Sequence, residues 1–175
     1  MGNKWTVVDA LRHSRHDWLN RLQLVKANLS LGRPERVHEL IEEFVREAQH
    51  EAKLISLQMP RFAELLLTYS WEHPPCSLEY EVLGDIHTRK HLDEQLYGWA
   101  KQFLFLLHES VHPAAENHIS VTVECGEQNV RFFFDFRGRL SNMQILQDWL
   151  AAGHGAFALQ YSLHEEELSI ELAEQ

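Results

Sequence analysis

Three consecutive residues near the amino terminus combine a nucleophile with a cation and a carboxylate. Arg15, His16 and Asp17 form this run, and His13 lies three residues before His16. A neutral imidazole is a competent nucleophile near neutral pH and can form a covalent intermediate, while a neighbouring carboxylate can accept a proton or orient the ring. The run is therefore compatible with nucleophilic chemistry at His16, with Asp17 as a candidate base or orienting group.

The same residues also allow simpler interpretations. The chain contains 12 His, and an exposed His on a helix is usually only solvated. Asp17 lies about 100° around a helix from His16, so it could equally be a solvated charge. His13 and His16 could share a metal-binding face, but no carboxylate or Cys at helical spacing completes such a site, and no metal is expected.

The residues around the histidines have the spacing of an amphipathic helix. With His16 at zero and about 100° per residue, an apolar seam falls between roughly 180° and 240° and consists of Leu11, Trp18, Leu22, Val25 and Leu29. Within roughly 60° of His16 lie Arg12, His13, Leu19, Asn20, Gln23 and Ala27. We therefore expect a buried seam, with His16 in water on the opposite face.

A helix break divides the first 59 residues into a hairpin. It lies at Gly32-Arg33-Pro34, because Gly suits the left-handed end of a helix and Pro suits a first helical turn. The second helix is predicted over about 34–59, with an apolar face of Val37, Leu40, Ile41, Phe44, Ala48, Ala52 and Ile55. Two helices cover only one side of each apolar stripe, so we expect two hairpins to form a four-helix bundle in a homodimer.

From residue 60 the pattern changes to that of an α/β sandwich. A short helix is predicted over about 61–71, and His73-Pro74-Pro75 cannot continue it. Alternating apolar residues predict five strands, at 78–82, 119–123, 130–136, 157–163 and 168–172. Further helices are predicted over about 92–111 and 141–151. The predicted fold class is α+β, with a helical hairpin in residues 1–59 and an α/β sandwich in residues 60–175.

Composition limits the function classes. Of 175 residues, 45% are hydrophobic, which supplies a substantial core. The longest apolar run, residues 103–107, is far shorter than the roughly 20 residues that cross a bilayer, so we expect a cytoplasmic protein with no membrane segment. The formal net charge of −10 would repel a phosphate backbone, so we expect no nucleic-acid binding.

Several stretches of the chain are similar to one known family. The first helix contains the run His13-Ser14-Arg15-His16-Asp17-Trp18-Leu19-Asn20-Arg21-Leu22-Gln23-Leu24, followed by Ala27-Asn28-Leu29-Ser30-Leu31-Gly32. This run resembles the phosphoacceptor helix of the sporulation initiation phosphotransferase B family. Residues 78–86, 110–111 and 116–118 are also similar to that family. The resemblance implies a dimerising hairpin followed by a domain that resembles a histidine-kinase ATPase domain without its nucleotide site.

For function, the resemblance implies a phosphorelay. His16 would accept a phosphoryl group from an aspartyl-phosphate receiver domain, a single-domain relay regulator, and pass it to the aspartate of a sporulation transcription regulator. Arg15 is a candidate phosphoryl contact, and the candidate docking residues are Arg12, Leu19, Asn20 and Gln23. Phosphoryl transfer needs mainly positioning and charge neutralisation. We therefore expect no cofactor on this chain and Mg²⁺ on the partner receiver domain.

Features of the second domain argue against ATP binding. Where a kinase ATPase domain has a magnesium-binding Asn at the end of its first long helix, this chain has Glu109. The Asp-x-Gly-x-Gly adenine loop is replaced by Asp135-Phe136-Arg137-Gly138-Arg139, and Gly153-His154-Gly155 precedes a strand instead of a helix. Two alternatives stay open, an ATP-dependent histidine kinase and a non-catalytic dimeric adaptor that docks receiver domains.

Overall fold

A computed structural model of the chain describes residues 5–127, 129–152 and 157–174. The chain divides into two compact units, of which the first ends at Gln49 and the second begins at His50. Helix α1 spans Val7–Ser30 and helix α2 spans Pro34–Ser56, so α2 continues from the first unit into the second. None of the helices in the described ranges is long and apolar enough to cross a membrane.

Local signals set both ends of α1. At its start, the Asp9 N–H donates to Thr6 Oγ1 and the Thr6 N–H donates to Asp9 Oδ2, each over 3.2 Å, which is a capping box. At its end, Gly32 has a φ of +64° and the Arg33 N–H donates to the Asn28 carbonyl over 3.0 Å. Glycine adopts this left-handed conformation without steric cost. The hairpin predicted from the sequence is confirmed, with the turn where Gly32 indicated it.

The apolar seam is not covered within the single chain. Its members Leu11, Trp18, Leu22 and Leu29 are exposed and Val25 is half-buried. Helix α2 buries Val37 and Leu40, and leaves Ile41, Val45 and Ile55 exposed. The expected burial of the seam therefore requires an apolar surface that one copy of the hairpin does not provide.

The second unit is an α/β sandwich. Its helices are α3 (Pro60–Leu67), α4 (Asp93–Ser110) and α5 (Met143–Ala151), with short 3₁₀ turns at Tyr69–Glu72 and Lys90–Leu92. Its strands are β1 (Ser77–Gly84), β2 (His118–Cys125), β3 (Val130–Arg137), β4 (Phe157–Leu163) and β5 (Glu167–Glu174). The sheet order is β1-β2-β3-β5-β4, in which β1 and β2 are parallel and the other pairs are antiparallel.

The core lies on one face of this sheet. Phe132, Phe134 and Phe136 of β3 are fully buried, whereas the alternate residues Phe133 and Asp135 are half-buried. Aromatic residues of the helices contact this buried face, among them Phe62 of α3, and Trp99 and Phe103 of α4. The predicted α+β fold, with helices on one face of a five-stranded sheet, is confirmed in the described residues.

Two details differ from the prediction. Leu54 in the last turn of α2 and Leu57 directly after it are buried in the core of the second unit, whereas Ile55 is exposed. This end of the helix packs on that core with a different face from the one predicted. The helix predicted over 61–71 ends at Leu67, where a 3₁₀ turn follows. His73, with a φ of +51°, closes that turn before the two prolines.

Side chains from α2 cap the edge strand β1. The Val82 N–H donates to His50 Nδ1 over 3.1 Å, and Lys53 Nζ donates to the Val82 carbonyl over 3.3 Å. An edge strand otherwise presents unpaired backbone groups that attract other strands. His50 and Lys53 therefore satisfy both backbone groups of Val82.

Candidate functional site

His16 lies in the middle of α1, and its side chain is 72% exposed. Leu19, Asn20 and Gln23 on the same side of the helix are also exposed. The helix holds this side chain on a rigid backbone while leaving its ring accessible. Such an imidazole is accessible to a macromolecular partner.

Two neighbouring side chains contact one nitrogen of the His16 ring. Asn20 Nδ2 lies 3.2 Å from Nδ1, one helical turn away, and Asp17 Oδ1 lies 3.6 Å from the same atom. The structure therefore places Asp17 near the ring. It also engages Asn20, which the sequence analysis had assigned to partner docking. The i, i+4 spacing of His16 and Asn20 was the signal available for this contact.

The other charged residues of the site are held differently. Arg12 forms an ion pair with Asp9 over 3.2 Å, and Arg15 is exposed. Hydrogen bonds from Thr6 hold the pKa of Asp9 below its usual value. The charge of Arg12 is therefore paired within the helix. Arg15 directly precedes His16 in the sequence.

His13 has a different environment from His16. Its side chain is half-buried, and its ring packs edge-on against Trp5 with 5.3 Å between the ring centroids. A ring held by an aromatic neighbour is less available to a partner than one that is largely solvated. Among the residues that the structure describes, no group of three His, Cys, Asp or Glu side chains could hold a metal ion.

The buried amide of Asn117 holds the end of the segment that the sequence analysis compared with an adenine loop. Asn117 accepts a hydrogen bond from the Arg139 N–H over 3.1 Å, and its Nδ2 donates to the His112 and Ala115 carbonyls. A Cβ added to Gly138 would lie only 2.3 Å from Asn117 Oδ1. This network was not predicted from the sequence, because its partners come from loops that no local pattern joins.

Glu109 and the segment Gly153-His154-Gly155 also argued against ATP binding, and the structure describes only the first of these. Glu109 is exposed near the end of α4. Gly153-His154-Gly155 lies outside the described residues.

A second buried polar cluster joins the 3₁₀ turn to α4. The Tyr69 hydroxyl and His108 Nε2 share a hydrogen bond of 2.7 Å. Burial lowers the pKa of His108, which favours its neutral ring. Burial also raises the pKa of the neighbouring Cys76 thiol to about 12. Such a thiol stays protonated and unreactive at neutral pH.

Comparison with family models first defines the class of protein. Residues 2–57 match the model described as sensor kinase SpoOB-type, alpha-helical domain. The hairpin is therefore similar to the helical domain that this model describes. Residues 58–174 match the model for the C-terminal domain of sporulation initiation phosphotransferase B, so the two matches meet at residues 57 and 58.

A curated relative agrees with both models. Over 144 residues the chain is 38% identical to sporulation initiation phosphotransferase B of Bacillus subtilis (strain 168). The aligned residues cover 81% of this chain and 75% of the relative. The chain belongs to the sporulation initiation phosphotransferase B family.

Solved structures with low sequence identity are also similar. A bacterial phosphotransferase is 15% identical with a TM-score of 0.42, over 97% of this chain and 98% of its own. The histidine kinase AdeS of Acinetobacter baumannii is 10% identical with a TM-score of 0.39, over 91% of this chain and 97% of its own.

Proposed function

We propose that this chain accepts a phosphoryl group on His16 from an aspartyl-phosphate receiver domain and passes it to the aspartate of a second response regulator. The observation that carries the proposal is the exposure of the His16 ring on the helix face opposite the apolar seam. Membership of a phosphotransferase family supports it. The donor is a single-domain relay regulator and the acceptor a sporulation transcription regulator.

Each half-reaction exchanges one bond to phosphorus for another. A lone pair on an imidazole nitrogen of His16 forms the N–P bond while the P–O bond to the receiver aspartate breaks, and the carboxylate leaves with that electron pair. The second half-reaction reverses these events on another receiver domain. Because such transfers depend mainly on positioning and charge neutralisation, the receiver domain supplies Mg²⁺ and this chain needs no cofactor.

The surface around His16 is suited to docking. Leu19 is 51% exposed, and Arg12, Arg15 and Gln23 are exposed around it. A single apolar side chain among polar ones can pack against a partner helix while the polar rim sets specificity. In this proposal Arg15 contacts the phosphoryl oxygens, and Arg12, Leu19 and Gln23 contact the receiver domain.

The two parts of the chain have different roles in the proposal. Residues 1–59 form the homodimer through the exposed apolar seam and carry the phosphoacceptor, because a second hairpin offers the matching apolar surface. Residues 60–175 provide packing and partner contacts and bind no nucleotide. A dimer of this kind presents two His16 rings.

The proposal is tested by following label through the relay. A receiver domain carrying labelled aspartyl phosphate and Mg²⁺ is mixed with the wild-type chain or with His16→Gln, and a second receiver domain is added afterwards. Label on the wild-type chain is expected to be acid-labile, base-stable and transferable. His16→Gln should stay folded, since exposed substitutions usually change stability by under about 0.5 kcal/mol.

The nearby histidine supplies the matched control. His13→Gln removes an imidazole from the same helix but should keep most of the transfer, because the His13 ring is packed against Trp5. If folded His16→Gln still accepts label, the nucleophile is wrongly assigned. If the wild-type chain binds the receiver domain and takes no label, the chain is an adaptor. Label taken directly from ATP would instead identify a kinase.

A further inference from the structure

The two edges of the sheet differ in how their main-chain groups are satisfied. At the β1 edge, His50 and Lys53 bind both backbone groups of Val82. At the other edge, β4 pairs with β5 on one side, and no residue that the structure describes bonds to the main chain on its other side. An open edge of this kind can accept a further strand.

The hairpin between β4 and β5 shows which main-chain groups of β4 face outward. The His164 N–H donates to the Glu167 carbonyl over 2.8 Å, so these two residues form a hydrogen-bonded pair. Such pairs alternate along antiparallel strands, so the even-numbered residues of β4 bond to β5. The outward N–H and C=O groups belong to the odd-numbered residues of β4, which are Phe157, Leu159, Tyr161 and Leu163.

The side chains of these residues leave an apolar strip beside the open edge. They lie on the helix-covered face of the sheet, where Leu159 and Leu163 are half-buried and Tyr161 is 39% exposed. The strand contains no charged residue and no proline, which are common means of preventing edge strands from pairing. The edge is therefore open in both its main chain and its side chains.

We infer that β4 pairs with β4 of a second copy of this chain, antiparallel and about a two-fold axis at Gln160. Gln160 is the middle residue of β4, so this register pairs the strand over its whole length. Leu159 then lies opposite Tyr161 of the second copy, and Phe157 lies opposite Leu163. Outward main-chain groups meet outward ones at each of these pairs. The inference goes beyond the proposed function and does not involve His16.

The distribution of charge favours a second copy as the occupant. An uncharged β4 offers no ionic contact to a charged strand, and it is where two copies of a chain with a formal net charge of −10 can approach closely. In the row of side chains through Gln160, the nearest acidic residue of each copy is Glu171 on β5. These two carboxylates are three strand spacings apart, about 14 Å, which exceeds the Debye length of about 8 Å at physiological salt.

The neighbouring rows of side chains also match across the axis. On the helix-covered face, one row consists of Leu172 and Leu159 from one copy and Tyr161 and Ile170 from the other, all of them apolar. One strand from each copy buries less than the roughly 1,200 Å² of a standard interface. The pairing is therefore weaker than the association expected of the hairpins, and it should be populated at high protein concentration.

A cysteine placed at the axis tests the register. Opposite Cα atoms at a pair of this non-hydrogen-bonded kind are about 4.5 Å apart, within the range of a disulfide. Ser162→Cys is the matched control, because Ser162 is exposed on the same face as Gln160 but lies about 13 Å along the strand from its copy. Under mild oxidation, Gln160→Cys should give about tenfold more disulfide-linked two-chain product than the control. The native Cys76 and Cys125 are buried and should not react.

Hydrogen exchange of the wild-type chain gives a second readout. Raising the protein concentration should slow exchange of the outward amides of Leu159, Tyr161 and Leu163. The amides of Gln160 and Ser162 already bond to β5 and should change little. Tyr161→Pro removes one outward N–H at an edge position that tolerates proline, so its other outward amides should exchange equally fast at all concentrations. Circular dichroism checks that this variant is folded.

Each measurement can overturn the inference. Equal cross-linking of Gln160→Cys and Ser162→Cys, or no cross-linking of either, would refute the inferred pairing. Outward amides that exchange equally fast at all concentrations of the wild-type chain would refute it as well. If an added receiver domain alone slows these amides, the edge binds a partner strand and a second copy is not its occupant. No phosphoryl transfer enters these tests, so their failure leaves the proposed role of His16 intact.

Discussion

Replacing Leu22 with Asp should separate the homodimer that the exposed seam predicts. Leu22 is 58% exposed in the single chain, and fully burying a Leu side chain stabilises by roughly 1.5–3 kcal/mol. Covering its exposed part therefore stabilises by about 1–1.7 kcal/mol per protomer. A two-fold interface contains the residue twice, which gives about 2–3.5 kcal/mol per dimer.

These free energies correspond to a roughly 30- to 400-fold weaker dimer from loss of the apolar contact alone. The new carboxylate adds the cost of burying an unpaired charge, so the loss should exceed this range. Sedimentation equilibrium at micromolar concentrations measures the change, and circular dichroism checks that the helices remain. Phe105→Asp is the matched control, because Phe105 is 57% exposed on α4 and outside the seam.

Phe105→Asp should sediment as the wild type does. A wild-type chain that is monomeric at these concentrations would refute the four-helix bundle. Dimerisation of Leu22→Asp with wild-type affinity would show that the interface lies elsewhere.

Three further outcomes are expected. Because burial lowers the pKa of His108 in the folded protein, the unfolded state binds more protons below about pH 6.5, and the free energy of unfolding falls as the pH falls. Urea titrations should show that His108→Gln loses less of this free energy between about pH 6.5 and 5 than the wild type does. An equal loss in both proteins would contradict this cause. Calorimetry with Mg²⁺ and millimolar ATP should show no saturable heat, and a micromolar dissociation constant would refute the predicted loss of the nucleotide site. Gly138→Ala should destabilise by about 1–3 kcal/mol because its Cβ would clash with Asn117, whereas Gly98→Ala in α4 meets nothing within 4 Å and should be neutral or stabilising.

Local sequence patterns were sufficient for most of the elements. The strands β1 to β5 follow from strict alternation, and the end of α1 follows from Gly32. These features are determined locally, since backbone geometry fixes the period of side chains in a strand or helix and few residues tolerate a left-handed φ. The exposure of His16 also followed from helical geometry alone, because the seam defines the opposite face.

The tertiary structure decided what depends on residues far apart in sequence or on side-chain rotamers. The order β1-β2-β3-β5-β4, the Asn117 network and the capping of Val82 by His50 and Lys53 each join segments that no periodicity relates. Leu54 and Leu57 are buried and Ile55 is exposed because the end of α2 packs on the core of the α/β sandwich.

The contact between Asn20 and His16 was open to prediction only as a spacing. Both side chains lie on the solvent face, where the apolar pattern carries no information, and their meeting depends on the rotamers that each side chain adopts. The sequence by itself therefore determined which helix face carries His16. Only the folded structure decided which neighbours lie close to its ring, because hydrogen bonds are set by distances of tenths of an ångström that residue spacing does not specify.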